Sequence, residues 1–92
     1  MQRVSVWCDD PLNQVARIMD ILRRMGAELI SLDLKEDGEN GYLSVIDYAF
    51  DNVAANETFL KRLPLIPGVE ILESRPLVHL VGPDRADSMA AC

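Results

Sequence analysis

The chain has 92 residues and a mass of 10.3 kDa, the size of a single domain with one hydrophobic core. Hydrophobic residue types make up 49% and charged types 26%, which excludes intrinsic disorder and is typical of a folded globular protein. Because 15 acidic against 9 basic residues leave a net charge of -6, we expect neither nucleic acid nor a membrane surface as a partner.

Chain length and cysteine usage add two expectations. A domain this small buries only about 60–65% of its unfolded surface, so a second subunit that covers apolar area would stabilise it, and we expect a homodimer. Cys8 and Cys92 are far apart and have neither disulfide nor metal-ligand spacing, which favours a reducing cytoplasm. The sequence has no secretory leader pattern and no run of about 18 apolar residues, so we expect a cytoplasmic protein.

The first predicted elements are a strand and a helix. Residues 4–8 form a short β-branched and aromatic run that acids and a proline close, which predicts a strand. A helix follows, capped by a side-chain oxygen of Asp9, Asp10 or Asn13 and ended by Gly26. Its apolar stripe, spaced at three and four residues, consists of Val15, Ile18, Met19, Leu22 and Met25.

Two further strands form a predicted hairpin. Ile30, Leu32 and Leu34 alternate with polar residues, the period of two expected of a strand with one buried face. Asp-Gly and Asn-Gly steps within residues 36–41 favour a turn, and a β-rich run over residues 42–50 follows at once. These patterns predict the second and third strands.

The third strand carries apolar residues at positions of both parities. Ile46, Tyr48 and Phe50 share one face, whereas Leu43 and Val45 fall on the other. Either both faces of this strand are partly covered, or a bulge shifts the phase of the side chains. Periodicity leaves both interpretations open.

The last predicted elements are a shorter helix and a fourth strand. Asp51 or Asn52 can cap the helix, and Pro64 ends it. A turn at Pro67-Gly68 leads into a strand that charges and Pro76 make irregular, as an edge strand tolerates. The inward side of the helix is expected to carry Ala55, Phe59, Leu60 and Leu63.

The order of these elements predicts the fold class. Strand, helix, strand, strand, helix, strand is the α+β, ferredoxin-like βαββαβ sandwich, with two helices on one face of a four-stranded antiparallel sheet. Strands one and three then lie in the middle, and the other face of the sheet meets water or a partner. Residues 77–81 extend the fourth strand or form a fifth. We expect one domain over residues 1–81 and a flexible tail over residues 82–92.

Four stretches carry a resemblance to a known family: residues 4–13 (VSVWCDDPLN), 15–18 (VARI), 24–32 (RMGAELISL) and 63–69 (LPLIPGV). Together they resemble the ACT domain over residues 2–75. Within that family, they resemble the ACT domain of the small regulatory subunit of acetohydroxyacid (acetolactate) synthase. The resemblance implies a non-catalytic module of the ACT-type fold that regulates a separate, thiamine-diphosphate-dependent catalytic subunit.

The resemblance also implies an effector site. A free amino acid, branched-chain in this family, binds between two subunits at the loop joining the first strand to the first helix. The N-terminal backbone N–H groups of a helix can hold an α-carboxylate there. We expect the dimer to form by joining sheets edge to edge or by stacking helices. Carried over residue by residue, the site falls on Asp10, Leu12, Asn13 and Gln14 of the loop and on Glu28 and Leu29 of the opposing strand start.

A second hypothesis is a ligand-free assembly module. Asn13 stands where the family usually has glycine and adds bulk, and Glu28 stands where the family has asparagine. The anion of Glu28 attracts an ammonium group but repels a carboxylate. In this interpretation both residues indicate that the pocket has been lost while dimerisation is kept.

A third hypothesis is a small enzyme that uses Asp9 and Asp10. Residues that flank a helix start are far more often caps than catalysts, so we predict no catalytic residue. His79 is the only histidine and has no second ligand spaced around it, so we predict neither a metal site nor a cofactor. Cys8, with an acidic flank, is expected to be a buried apolar residue.

Overall fold

The computed structural model of the chain describes residues 1–77. These residues form four strands and two α-helices in the predicted order, with a short 3₁₀ helix after the second helix. Of the predicted extension or fifth strand over residues 77–81, residues 78–81 lie outside the described residues, as do His79, Cys92 and the predicted tail. The elements are β1 (Gln2–Cys8), α1 (Pro11–Arg24), β2 (Glu28–Glu36), β3 (Tyr42–Ala49), α2 (Val53–Arg62), the 3₁₀ helix (Leu63–Leu65) and β4 (Val69–Pro76).

The four strands form one antiparallel sheet in the order β2-β3-β1-β4. This confirms the predicted βαββαβ arrangement and the central position of the first and third strands. β1 pairs with β3 without a shift, for example Val4 with Ile46 and Cys8 with Tyr42. Leu77 continues beside β1, because its backbone N–H donates to the carbonyl of Met1 at 2.9 Å.

The core lies between the two central strands and the helices. Most of the inward-pointing residues of β1 and β3 are buried in it, together with Ile18 and Leu22 of α1 and Phe59 of α2. Cys8 is among the buried residues, as predicted. Asn52 caps α2 by accepting a hydrogen bond from the backbone N–H of Ala55 at 2.8 Å. Gly26 follows α1 with a φ of 77°, the left-handed stop that the sequence predicts.

The expectation of a buried face on the second strand is wrong. All nine residues of β2 are exposed, including Leu32 at 42% and Leu34 at 43% of their surface. Both side chains lie on the helix side of the sheet, opposite Ile46 and Ser44. Because β2 is the outermost strand, no described element beyond it covers their outer side.

The other face of the sheet carries no helix, and we call it the uncovered face. Leu43 and Val45 lie on this face and are half-buried. Because β3 pairs with β1 without a shift, the interpretation that both faces of this strand are partly covered is correct, and the interpretation of a bulge in it is not. The irregularities lie in the outer strands, where Ile30 of β2 and Leu72 of β4 are extra residues. Residues of the central strands on the uncovered face are Arg3, Ser5, Trp7, Leu43, Val45 and Asp47.

Candidate functional site

The predicted loop half of the site lies at the start of α1. Asp10 precedes the helix and Pro11 is its first residue. The side chain of Asp10 does not cap the backbone of α1, because its carboxylate instead accepts a hydrogen bond from the Asn13 side-chain amide at 2.6 Å. Leu12 is 89% exposed. The expected side-chain cap of α1 is therefore replaced by a bond between two side chains of its first turn.

Gln14 is the most constrained residue of this loop half. It is only 5% exposed, and its Nε2 donates to Asp9 Oδ1 at 2.6 Å and to the carbonyl of Pro67 at 2.8 Å. Its Oε1 accepts from the backbone N–H of Asp10 at 2.9 Å. The side chain of Gln14 thus links the end of β1, the start of α1 and the turn before β4.

Gly68 is the residue on which the Gln14 side chain rests. It has a φ of 84°, which side-chain-bearing residues rarely adopt. A Cβ at this position would overlap Gln14 Nε2 and lie 2.5 Å from Asp9 Oδ1. Both the backbone angle and the close approach therefore require glycine here.

The anion-binding capacity of the α1 N-terminus is small. Pro11 has no N–H, and the N–H groups of Asn13 and Gln14 both donate to the carbonyl of Asp10, at 3.2 and 2.9 Å. Leu12 therefore provides the one backbone N–H in this turn with no described hydrogen-bond acceptor.

The strand half of the predicted site lies at the other end of the same sheet. Leu29 is paired with Tyr48, which is paired with Gln2 at the start of β1, whereas Asp10 follows the end of β1. The seven residues of β1 span about 20 Å at about 3.3 Å each. Within one chain, Glu28 and Leu29 are therefore not brought together with Asp10, Leu12, Asn13 and Gln14.

An open groove adjoins the loop half of the site. It has a volume of about 280 Å³ and is lined by Asn13, Gln14, Arg17, Ile66 and Pro67. A larger groove of about 430 Å³ shares three of these residues and continues along α1. Sequence reasoning did not place Ile66 and Pro67 at the site. The Pro67-Gly68 turn was visible in the sequence, but its position against α1 was not.

The carboxylates around the loop are held by hydrogen bonds, and the neighbouring thiol of Cys8 is kept protonated. Burial, and next the charges of Asp9 and Asp10, raise the pKa of the Cys8 thiol, so it stays protonated and unreactive at neutral pH. Each of these two carboxylates accepts a side-chain amide bond, from Gln14 and Asn13 respectively. No group of three metal-ligating side chains occurs among residues 1–77.

A partly buried ion pair lies on the uncovered face. Arg3 donates from Nε and Nη2 to the two carboxylate oxygens of Asp47, at 2.7 and 2.9 Å. The Ser31 hydroxyl of β2 donates to the same carboxylate at 3.2 Å. The hydrogen bond from Arg3 holds the pKa of Asp47 below its ordinary value, against the opposing effect of burial. These bonds connect β1, β3 and β2 across the sheet.

The two edges of the sheet differ in how they are protected. The outer side of β4 is interrupted by the extra residue Leu72, by charged residues and by Pro76, which are usual defences of an edge strand. The outer side of β2, which we call the β2 edge, also has one bulge, at Ile30, and charged residues, but it has no proline. Its half-exposed aliphatic side chains are Leu29, Ile30, Leu32 and Leu34.

Comparison with known proteins bears on the fold. No protein-family model and no curated protein matches the sequence. The ACT domain from GTP pyrophosphokinase of Chlorobium tepidum matches the structure with a TM-score of 0.63 and 12% identity, over 83% of this chain and 95% of that chain. The chain has the ACT-type, ferredoxin-like fold.

Two further ACT-like structures match at similar levels. The C-terminal domain of the MgtC protein from Mycobacterium tuberculosis has a TM-score of 0.64 and 17% identity, over 80% of this chain and 81% of that domain. Formyltetrahydrofolate deformylase from Burkholderia mallei has a TM-score of 0.65 and 14% identity, over 83% of this chain and 28% of the deformylase. At these identities the ACT-type similarity shows the fold alone. In the described part of the chain, no helix is long and apolar enough to cross a membrane.

Proposed function

We propose that the chain is a non-catalytic regulatory module that acts as a homodimer joined through the β2 edges and binds an amino-acid effector at the dimer interface. The observation that carries the proposal is the asymmetry of the sheet. Four aliphatic side chains are 42–48% exposed on β2, whereas β4 has one large aliphatic side chain with comparable exposure, Leu72 at 52%, and ends in Pro76. An exposed apolar edge strand favours pairing with another strand.

A β2-to-β2 dimer supplies the missing half of the site. In a two-fold pairing the partner's β2 runs antiparallel, so its start lies at the end of the sheet where this chain's α1 begins. Glu28 and Leu29 of the partner subunit then lie at the same end as Asp10, Leu12, Asn13 and Gln14. This arrangement supports a composite site, which a single chain does not form.

The charges of the composite site favour the ammonium group of an effector. Asp9, Asp10 and the partner's Glu28 supply three carboxylates, whereas a carboxylate of the effector could use the free N–H of Leu12 and the guanidinium of Arg17 in the adjoining groove. The effector we propose is therefore an amino acid held chiefly through its ammonium end. The resemblance of the sequence to the small subunit of acetohydroxyacid synthase supports a branched-chain amino acid, and that enzyme as the regulated catalytic subunit.

A second candidate function is a ligand-free assembly module. The observation that favours it is the Gln14 amide, which satisfies Asp9, Asp10 and Pro67 with the chain's own atoms. With the Asn13 amide bonded to the Asp10 carboxylate as well, the polar groups of this turn other than the N–H of Leu12 are already hydrogen-bonded. In this case the β2-edge dimer remains and no effector binds.

Titration calorimetry with the common amino acids, at a concentration where the protein is dimeric, separates the two candidates. The effector hypothesis predicts a saturable heat for at least one amino acid, lost or weakened in Glu28→Gln. Glu57→Gln is the matched control, because Glu57 is an exposed residue of α2 and its substitution also removes one negative charge. If no amino acid gives a saturable heat and the dimer is stable, the result supports the assembly module. A chain that is monomeric under all conditions contradicts both candidate functions.

The identity of the regulated enzyme is tested by reconstitution. Purified catalytic subunit of an acetohydroxyacid synthase is assayed with and without the chain, and with the amino acid identified by calorimetry. Changed turnover or new sensitivity to that amino acid supports the proposed partner. Turnover unaffected by the chain contradicts this partner without affecting the dimer.

A further inference from the structure

The proposed dimer leaves open how the two β2 strands are aligned. We infer that they pair in a single register centred on Leu34, so that Asp33 of each chain lies opposite Lys35 of the other. This inference rests on the β2-edge dimer proposed above. It identifies the partner surface as the same strand of a second copy of this chain.

Symmetry restricts the possible registers. A two-fold axis perpendicular to the sheet makes the paired strands antiparallel and keeps the helices of both chains on one side. Residues directly opposite each other in an antiparallel pair point to the same face, and successive residues alternate between faces. The axis must therefore pass beside one residue, which lies opposite its own copy, and cannot fall between two residues.

The bulge in β2 removes registers that use the start of the strand. Pairing with β3 skips Ile30, so the regular part of β2 is residues 31–36. A register centred on Leu32 would place the irregular Ile30 opposite Leu34, and Glu28 opposite Glu36. The centres nearest the middle of the regular part are Asp33 and Leu34.

Charge decides between these two centres. Centring on Asp33 places two carboxylates directly opposite each other, and like charges in this position destabilise a strand pair. Centring on Leu34 gives two reciprocal contacts between Asp33 and Lys35, with Leu34 against Leu34 on the helix side and Leu32 opposite Glu36. Neither Asp33 nor Lys35 forms an ion pair with another described residue, so both charges remain available.

The two charged contacts would lie on the uncovered face of the joined sheet. Asp33 is paired with Val45 and Lys35 with Leu43 within the chain, and both of these β3 residues point to that face. The contact between the two Leu34 side chains would lie on the helix side. A change of charge at Asp33 or Lys35 therefore alters the pairing without removing a core side chain.

Complementary charge reversals test this register. In Asp33→Lys both charged contacts become pairs of lysines, and in Lys35→Asp both become pairs of aspartates. Each variant alone should self-associate at least about tenfold more weakly than the natural chain in sedimentation equilibrium. An equimolar mixture should recover a heterodimer of near-natural affinity, because both of its contacts again pair opposite charges. One contact joins the two introduced side chains, and the other joins the two natural ones.

Three results would show whether the register or the dimer itself is wrong. Single variants that dimerise like the natural chain, or a mixture that gives no heterodimer, overturn the Leu34 register while leaving the β2-edge dimer intact. A natural chain that remains monomeric refutes the underlying dimer instead. Glu70→Lys, a charge reversal on β4, is the matched control and should leave self-association unchanged. Urea unfolding followed by Trp7 fluorescence verifies that every variant is folded.

Discussion

Replacing Gly68 with alanine tests the central role of the Gln14 side chain at the α1 N-terminus. The alanine must adopt a φ near 84°, and its Cβ would overlap the Gln14 amide. The amide therefore has to leave its position, and its bonds to Asp9, Asp10 and Pro67 are lost with it. The destabilisation by Gly68→Ala therefore includes most of the destabilisation that Gln14→Ala causes by itself.

The magnitudes follow from the two contributions. The left-handed backbone costs an alanine about 1–2 kcal/mol. Loss of the three hydrogen bonds of Gln14, one of them to a carboxylate, costs about 2–3 kcal/mol. We therefore expect Gln14→Ala to destabilise by about 2–3 kcal/mol and Gly68→Ala by about 3–5 kcal/mol. The double variant should also lie at about 3–5 kcal/mol, because the bonds can be lost only once.

The assay is urea unfolding at fixed protein concentration, followed by the fluorescence of Trp7, the single tryptophan. Gly26→Ala provides the control, because Gly26 has a φ of 77° but nothing within 4 Å of a new Cβ. It should cost about 1–2 kcal/mol and add independently to Gln14→Ala. Additive costs for Gly68→Ala and Gln14→Ala would refute the proposed steric link between the two residues.

Three further predictions concern pH and the core. The pKa of Asp47 is depressed in the folded state, so the carboxylate stabilises the fold above its unfolded pKa of about 3.9, and this stabilisation is lost as the pH falls through the folded pKa. Asp47→Asn should therefore reduce the loss of unfolding free energy at acidic pH, measured by urea unfolding. Burial raises the pKa of Tyr48 to about 12, so stability should fall above pH about 10, and Tyr48→Phe should remove that loss. Leu22→Ala, at a residue 3% exposed, should cost about 2–5 kcal/mol in thermal or urea unfolding, whereas Leu12→Ala, at a residue 89% exposed, should change stability by less than about 0.5 kcal/mol; equal effects would contradict the predicted apolar stripe of α1.

Much of the fold could be predicted because its signals are local. The three-and-four spacing that includes Ile18 and Leu22 indicated α1, and the turn residues between the second and third strands indicated their hairpin. The burial of β2 could not be predicted in the same way. Alternation of Ile30, Leu32 and Leu34 shows which side chains share a face, but not whether another element covers that face.

The candidate site was less accessible to sequence reasoning because its contacts are distant along the chain. Gln14 and Pro67 are separated by 53 positions, and no periodic pattern connects a polar helix residue with a remote turn. The resemblance to the ACT domain supplied the list of six site residues but not their distribution over two ends of one sheet. That distribution became visible only through the register of β1, β3 and β2.

Amide hydrogen exchange of β2, measured by NMR at several protein concentrations, tests the β2-edge dimer most directly. In the dimer, the β2 amides that do not bond to β3 are paired with the second chain. We predict that they exchange slowly at high concentration and that this protection disappears on dilution, while the outward amides of β4 exchange rapidly throughout. Equally rapid exchange at both edges at every concentration would contradict the account.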